Sequence, residues 1–238
     1  MGTLDAMRQG LKGGYPDRYG PQPLRPYVEP FHRALARHIR PGLTVLDVGS
    51  GRRVAVSDRP EDWTYIGLDI DRTELDRASG YDASVVGDIT EHDPSLDGRF
   101  DLVISRFLLE HVKPIDRALA NVHRYLRPGG WMVSIVPGRH APFAVVNRLL
   151  PSHAGKRVLA RVFGRNPGTV FPAFYDRCSY TGLGRLLDDW TEVQIEPLFT
   201  SAQYARFARP FQALYLGYEE WSQRRPNLAA YYVISARR

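Results

Sequence analysis

Five short runs rich in β-branched residues recur between residues 43 and 136. They are Leu43–Val48, Tyr65–Ile70, Ala83–Val86, Phe100–Ser105 and Trp131–Val136. Each is too short for a globular helix and shows little polar alternation, so each reads as a strand buried on both faces. Helix signals stand between them. Asp71-Arg72-Thr73-Glu74 has capping-box spacing and opens a helix to about Ser79. Pro114–Leu126 places Ile115, Leu119, Val122 and Leu126 on one face behind an N-terminal proline. Strands separated by helical crossovers must pair in parallel, so this stretch demands an α/β sheet with helices on both faces.

The flanks obey different rhythms. Residues 1–27, rich in Gly, Pro and Tyr, read as an irregular arm, and 28–40 as a helix built on Phe31, Leu35 and Ile39. Beyond Pro137, residues 143–163 read as a basic helical stretch broken near Pro151, 168–178 as a loop, and Tyr180–Asp189 as a short helix. Glu192–Glu196 and Ala229–Ala236 read as strands. Between them, Tyr204, Phe207, Phe211, Tyr215, Tyr218 and Trp221 mark one face of a helix kinked at Pro210, a packing face more than a substrate wall. The expectation is one domain over 1–238, with an arm or lid (1–27), a core (28–140), a cap with insertions (141–225) and a last strand (226–238).

Composition removes several classes. The single cysteine, Cys178, excludes an internal disulfide and a cysteine-rich zinc site. No apolar run approaches a membrane span, and the first residues carry no signal-peptide core, so a cytoplasmic protein is expected. The net charge of +6 is uneven: residues 1–140 hold 19 basic against 19 acidic residues, and 141–238 hold 13 against 7. That excess reads either as a solvated arginine-rich face or as a field for an anionic substrate, a phosphate or a membrane surface.

The sharpest local signal is Val45–Arg52, VLDVGSGR. A strand running into Gly49-Ser50-Gly51 lets the backbone approach a ligand at the carboxyl end of the sheet. A dinucleotide turn needs a third glycine where Val54 stands, and the segment after it is a poor helix. Three acids point elsewhere. Asp47 is placed to meet a ligand amine directly or through water, Asp69 to accept two ribose hydroxyls, and Asp88 to accept from an adenine amine. Each alone is as well explained as a strand-end turn residue. At three successive strand ends they suit a ligand with an amine, a ribose and an adenine but no phosphate, which describes S-adenosylmethionine.

VLDVGSG (45–51), YIGLDID (65–71), VVGDITE (85–91), FDLVISRFLLEHV (100–112) and YLRPGGWMVSIVPG (125–138) together resemble the class I S-adenosylmethionine-dependent methyltransferases. The likeness is strongest to the small-molecule group that includes ubiquinone and menaquinone biosynthesis enzymes. It covers residues 30–140 well and 141–228 poorly. It implies a Rossmann-like, seven-stranded, mostly parallel sheet whose last strand, Ala229–Ala236, is inserted antiparallel. It implies cofactor contacts at Asp47, Gly49, Ser50, Gly51, Asp69, Ile70, Asp88, Ile89, Arg106 and Phe107, and S-adenosylhomocysteine as product. The family's common third glycine is Arg53 here, which alters the local loop. Relatives that bind a divalent metal through E-x-x-E-H carry glutamate where this chain has Phe107, so no metal is expected.

Methyl transfer from a sulfonium asks mainly for alignment, and for a base only when the acceptor must lose a proton. His140, after the fifth strand, and His111, after the fourth, are the candidate bases. Tyr175, Asp176 and Tyr204 are the candidate substrate contacts. A small-molecule acceptor, methylated on a hydroxyl, is the leading expectation. A nucleic-acid methyltransferase is disfavoured, because the first half is neutral and Ser105-Arg106-Phe107-Leu108 replaces the amino-methylation motif. A non-catalytic binder docked on membranes through 143–165, and a homodimer, stay open.

Overall fold

The computed structural model describes residues 1–149 and 172–238. Its centre is a seven-stranded sheet in the order β3-β2-β1-β4-β5-β7-β6. The strands are β1 (Thr44–Val48), β2 (Thr64–Asp69), β3 (Ala83–Val86), β4 (Phe100–Arg106), β5 (Leu126–Pro137), β6 (Thr191–Leu198) and β7 (Tyr231–Arg237). β1 to β5 pair in parallel. β7 runs antiparallel to both β5 and β6, as expected for the inserted strand. The middle strands are buried at their centres: Val45, Leu46, Val103, Ile104, Val133 and Ile135 are all at 0% exposure. Each such side chain contributes about 1.5–3 kcal/mol of burial free energy. β5 starts at Leu126, five residues before the run at Trp131, takes in Pro128–Gly130, and shifts register against β4 between Phe100 and Leu102.

The helices are α1 (Thr3–Leu11), α2 (Val28–Ala36), α3 (Arg72–Asp76), α4 (Ile115–Tyr125), α5 (Pro142–Leu149), α6 (Tyr180–Leu186) and α7 (Arg209–Ser222). Asp71 caps α3 by accepting from Thr73 N and Glu74 N, but Glu74 pairs with Arg52 instead of closing a capping box. α3 stops at Asp76, and Ser79, expected within it, instead forms a parallel bridge with Arg53. No helix forms between β1 and β2, matching the poor helical pattern of 52–63. The expected stretch 143–163 is seen only to Leu149; its remainder lies outside the described residues.

Two expectations are corrected. Residues 1–27 are not an irregular arm, because Thr3–Leu11 is a helix lying against α7. A Cβ on Gly10 would stand 2.7 Å from Ala213 Cα, so the two backbones nearly touch. Gly10, which weakens the helical pattern in sequence, is what permits this approach. Pro210 does not kink a helix; it sits in the first turn of α7, where it needs no N–H partner. The aromatic face is accordingly split. Phe207, Phe211 and Trp221 are 64%, 59% and 51% exposed.

α1, the turn at 17–19 and α7 enclose a second small core of Ala6, Tyr19, Ala202 and Leu216. Glu219, 1% exposed, closes it. Its carboxylate accepts from Tyr19 Oη at 2.8 and 2.9 Å, from Ser201 N and from Ser201 Oγ, and Arg18 Nη2 stands 3.4 Å away. Burial outweighs these bonds and raises its pKa to about 7.

Candidate cofactor and active site

The chain leaves β1 through Gly49 and Gly51, both left-handed, at φ of +69° and +50°. A Cβ on Gly49 would come within 2.7 Å of Leu108 Cδ1 and 2.9 Å of Leu108 Cβ, so only glycine fits between β1 and the turn after β4. Gly49 N and Ser50 N donate to Leu68 O, and Gly51 N donates to Asp69 Oδ2 at 2.8 Å. These bonds stitch the loop to the end of β2. Around it opens a cleft of about 700 Å³ at the carboxyl ends of the parallel strands. A smaller pocket of about 340 Å³ adjoins it, sharing Gly49, Gly51 and Arg52.

The cleft brings together Asp69, Ile70, Asp88, Ile89, Phe107 and His111. Asp69 is half-buried; its Oδ1 accepts from Asp71 N at 2.9 Å and its Oδ2 from Gly51 N. Each carboxylate oxygen keeps a second lone pair, enough for a ribose hydroxyl. Asp88 Oδ1 accepts from Thr90 N and Thr90 Oγ1, both at 2.8 Å, which fixes its rotamer toward the cleft wall. Phe107 holds a left-handed φ of +57° and stacks edge-on to Tyr27 at 4.7 Å. Such backbone strain in a non-glycine residue clusters at ligand sites.

The smaller pocket brings together Asp47, Ser50, Arg52, Arg53 and Arg106. Asp47 is 2% exposed, and its Oδ2 accepts from Tyr65 Oη, Tyr81 Oη and Ala55 N at 2.7, 3.0 and 2.9 Å. Burial raises its pKa, and these three bonds and nearby Arg106 oppose the rise. Asp47 is thus an anchor for the loop as well as a wall of the pocket. Ser50 Oγ is buried without a hydrogen-bond partner among the described residues.

The candidate bases separate. His111 lines the cleft, and its Nδ1 lies 2.8 Å from Pro172 O. His140 is exposed and lines neither pocket. The chain turns it outward after β5, because Gly138 N bonds to Ala230 O and Arg139 N to Cys178 O. Partial burial, then Arg139 and Arg148, hold its pKa below the usual histidine value. Tyr175, Asp176 and Tyr204 also line neither pocket. Tyr175 is 5% exposed, and burial pushes its phenol up to about 12. Asp176 faces Ile115 N, and Tyr204 Oη meets Tyr231 Oη at 3.0 Å. What the loop does contribute is Pro172 and Phe174, held to the cleft because Glu110 O accepts from Phe174 N and Tyr175 N. Leu108, Tyr65, Tyr81, Lys113, Pro172 and Phe174 escaped the reading of the sequence; nothing in their spacing marks them. Of the basic residues that make up the charge excess of 141–238, Lys156, Arg157, Arg161 and Arg165 lie outside the described residues.

The donor set fits S-adenosylmethionine and not a dinucleotide. No helix N-terminus follows the glycine turn to hold a pyrophosphate, while two acids lie along one cleft and a third beside it.

Comparison with known proteins agrees. A family described as "Methyltransferase domain" matches residues 19–191. A biotin biosynthesis bifunctional protein (BioCD) of Bordetella avium is 32% identical over 101 residues, 41% of this chain. The match spans 22% of that protein's length. Among solved structures, Haemonchus contortus phosphoethanolamine N-methyltransferase 2, in complex with S-adenosyl-L-methionine, superposes with a TM-score of 0.54. It shares 14% identity over 88% of this chain and 52% of its own. An S-adenosylmethionine-dependent methyltransferase of Archaeoglobus fulgidus superposes with a TM-score of 0.52, at 15% identity, over 93% and 97% of the two chains. These matches bear on the family and fold, not on the quinone-biosynthesis group. With its inserted antiparallel β7 and its glycine turn at Gly49, the chain belongs to the methyltransferase-domain family and has the fold of the class I S-adenosylmethionine-dependent enzymes.

Proposed function

We propose that the protein methylates a hydroxyl of a small, anionic acceptor, with S-adenosylmethionine as donor. The carrying observation is the alignment of Asp69, Asp88 and His111 along one cleft beside the Gly49 turn. The bound donor supplies a methyl group on a sulfonium, open to in-line displacement. Asp69 binds the ribose and Asp88 orients the adenine. Phe107, Leu108 and Phe174 exclude water from the space between the donor and His111. Pro172 O can only accept, so it holds the proton on His111 Nδ1; Nε2, 3.8 Å from Glu110 Oε1, is the nitrogen that takes a proton from an acceptor hydroxyl, and the Glu110 carboxylate favours the imidazolium so formed. Lys113 on the same wall offers a positive charge to an anionic group of the acceptor.

Two variants separate donor binding from proton transfer. Charge-assisted bonds to two ribose hydroxyls are worth about 1.5–3 kcal/mol each, so Asp69→Ala should weaken S-adenosylhomocysteine binding about a hundredfold or more. His111→Gln should leave that affinity within about twofold and lower kcat on a hydroxyl acceptor by about 10²–10⁴. NADH binding with no response to S-adenosylhomocysteine, in calorimetry, would sink the donor assignment. A His111→Gln enzyme with full turnover would sink the role of the base.

A further inference from the structure

We propose that the outward face of the α1–α7 helix pair docks on an anionic lipid surface. The two helices run antiparallel: a Cβ on Gly217 would meet Met7 and Thr3, and one on Gly10 would meet Ala213. Counting 100° per residue from that contact line, Leu4, Arg8 and Leu11 of α1 fall on one side. Phe211, Leu214, Tyr218, Trp221 and Arg225 fall on the corresponding side of α7 and beyond its last turn. Antiparallel pairing mirrors the two senses of rotation, so both stripes face the same way. The small core takes the opposite side, with Ala6 and Leu216 at 0% exposure. Along the outward face Leu4 is 70% exposed, Leu11 51%, Phe211 59%, Leu214 59% and Trp221 51%, with Phe207 at 64% just before α7. Scattered apolar residues are ordinary on a surface; two adjoining helical stripes are not.

The charge around the stripes selects the occupant. Arg8, Lys12, Arg206, Arg209, Arg224 and Arg225 lie on or beside the two helices. The acids of these helices are committed. Asp5 stands 3.9 Å from Arg8 and offsets that one charge of the six, Glu219 is buried, and Glu220 pairs with Arg18 at 3.0 Å and with the N-terminal amine at 3.9 Å. Arg225 lies over the Trp221 ring, 3.9 Å from its centroid. An aromatic ring under a guanidinium suits the headgroup layer, where one end is apolar and the other wet. Leu, Phe and Trp on one face with a basic rim is the pattern of helices that lie in a membrane interface. A second copy of the chain would set this basic rim against itself. None of these residues lines the cofactor cleft, so the inference stands independently of the reaction.

The test is co-sedimentation of the full chain with vesicles of phosphatidylcholine alone or of phosphatidylcholine and phosphatidylglycerol in equal parts. Binding is expected to the anionic vesicles only, and to fall steeply with added salt. The double variant Phe211→Ser, Leu214→Ser should lose tenfold or more in vesicle affinity while keeping wild-type Tm and S-adenosylhomocysteine affinity. Arg8→Gln with Arg225→Gln should lose roughly fivefold per charge. Absence of binding to anionic vesicles, or equal binding by the Ser variants, overturns the proposal. So does a concentration-dependent dimer, on gel filtration, that the Ser variants abolish: the face would then join copies of the chain.

Discussion

Glu219 gives the fold a pH dependence whose sign is opposite to that of most paired carboxylates. Its pKa rises from the ordinary 4.5 to about 7, so the native state holds the proton to a higher pH than the unfolded chain does. Its share of stability is therefore complete below about pH 4.5 and declines as pH climbs toward about 7. Two and a half pH units at about 1.4 kcal/mol each make the loss roughly 3–4 kcal/mol. Glu219→Gln isolates the effect. The amide keeps an acceptor for Ser201 N and the shape of the side chain, but it does not titrate. Other groups titrate alike in both proteins, so the informative quantity is the difference in unfolding free energy, measured by chemical denaturation from pH 4.5 to pH 8. The variant should gain roughly 3–4 kcal/mol relative to wild type across that range. A difference that is flat with pH, or that moves in favour of wild type as pH rises, would show that Arg18 and Tyr19 hold the carboxylate ionised and would refute the reasoning.

Three further outcomes follow from the site. Gly49→Ala should cut S-adenosylhomocysteine affinity at least tenfold in calorimetry, because the new methyl meets Leu108 and the left-handed backbone costs about 1–2 kcal/mol. Asp71→Ala should cost about 1 kcal/mol in thermal or chemical melts, the value of a helix cap, and leave donor affinity unchanged. Asp47→Ala leaves Tyr65 Oη, Tyr81 Oη and Ala55 N without their acceptor, at about 1–3 kcal/mol per stranded group, so it should destabilise the whole domain far more than Asp47→Asn does. Equal melting of the two variants would contradict the anchoring role.

The sheet was legible because buried parallel strands are written as contiguous apolar runs, and β1 to β4 came out within a residue or so of their bounds. The wall of the cleft built by β1 to β3 was legible for a related reason: a glycine turn and strand-end acids are local features. α1 was hidden because Gly10, Gly13 and Gly14 argue against a helix, and its stability comes from α7, far away in sequence. The exposed half of the aromatic stripe misled for the opposite reason, since periodicity reports a face without saying what the face meets. The opposite wall of the cleft was the least legible. His111 reaches the cleft through Pro172, and Phe174 through Glu110, contacts that join segments about sixty positions apart and leave no trace in spacing.

The antiparallel strand β7 also sets an order of assembly. β6 pairs with β7, and β7 with β5, so β6 has no place on the sheet until β7 has been made. While a ribosome adds residues 138–230, the outer edge of β5 stays open, with Val133, Ile135 and Val136 waiting for cover. Such an edge is a template for any other nascent strand, including one from a neighbouring chain. The glycine turn after β1 and the ends of β2 and β3 are complete long before that edge closes. In a nascent chain the cleft side of the sheet is therefore formed while the far side still exposes an edge that a chaperone must cover.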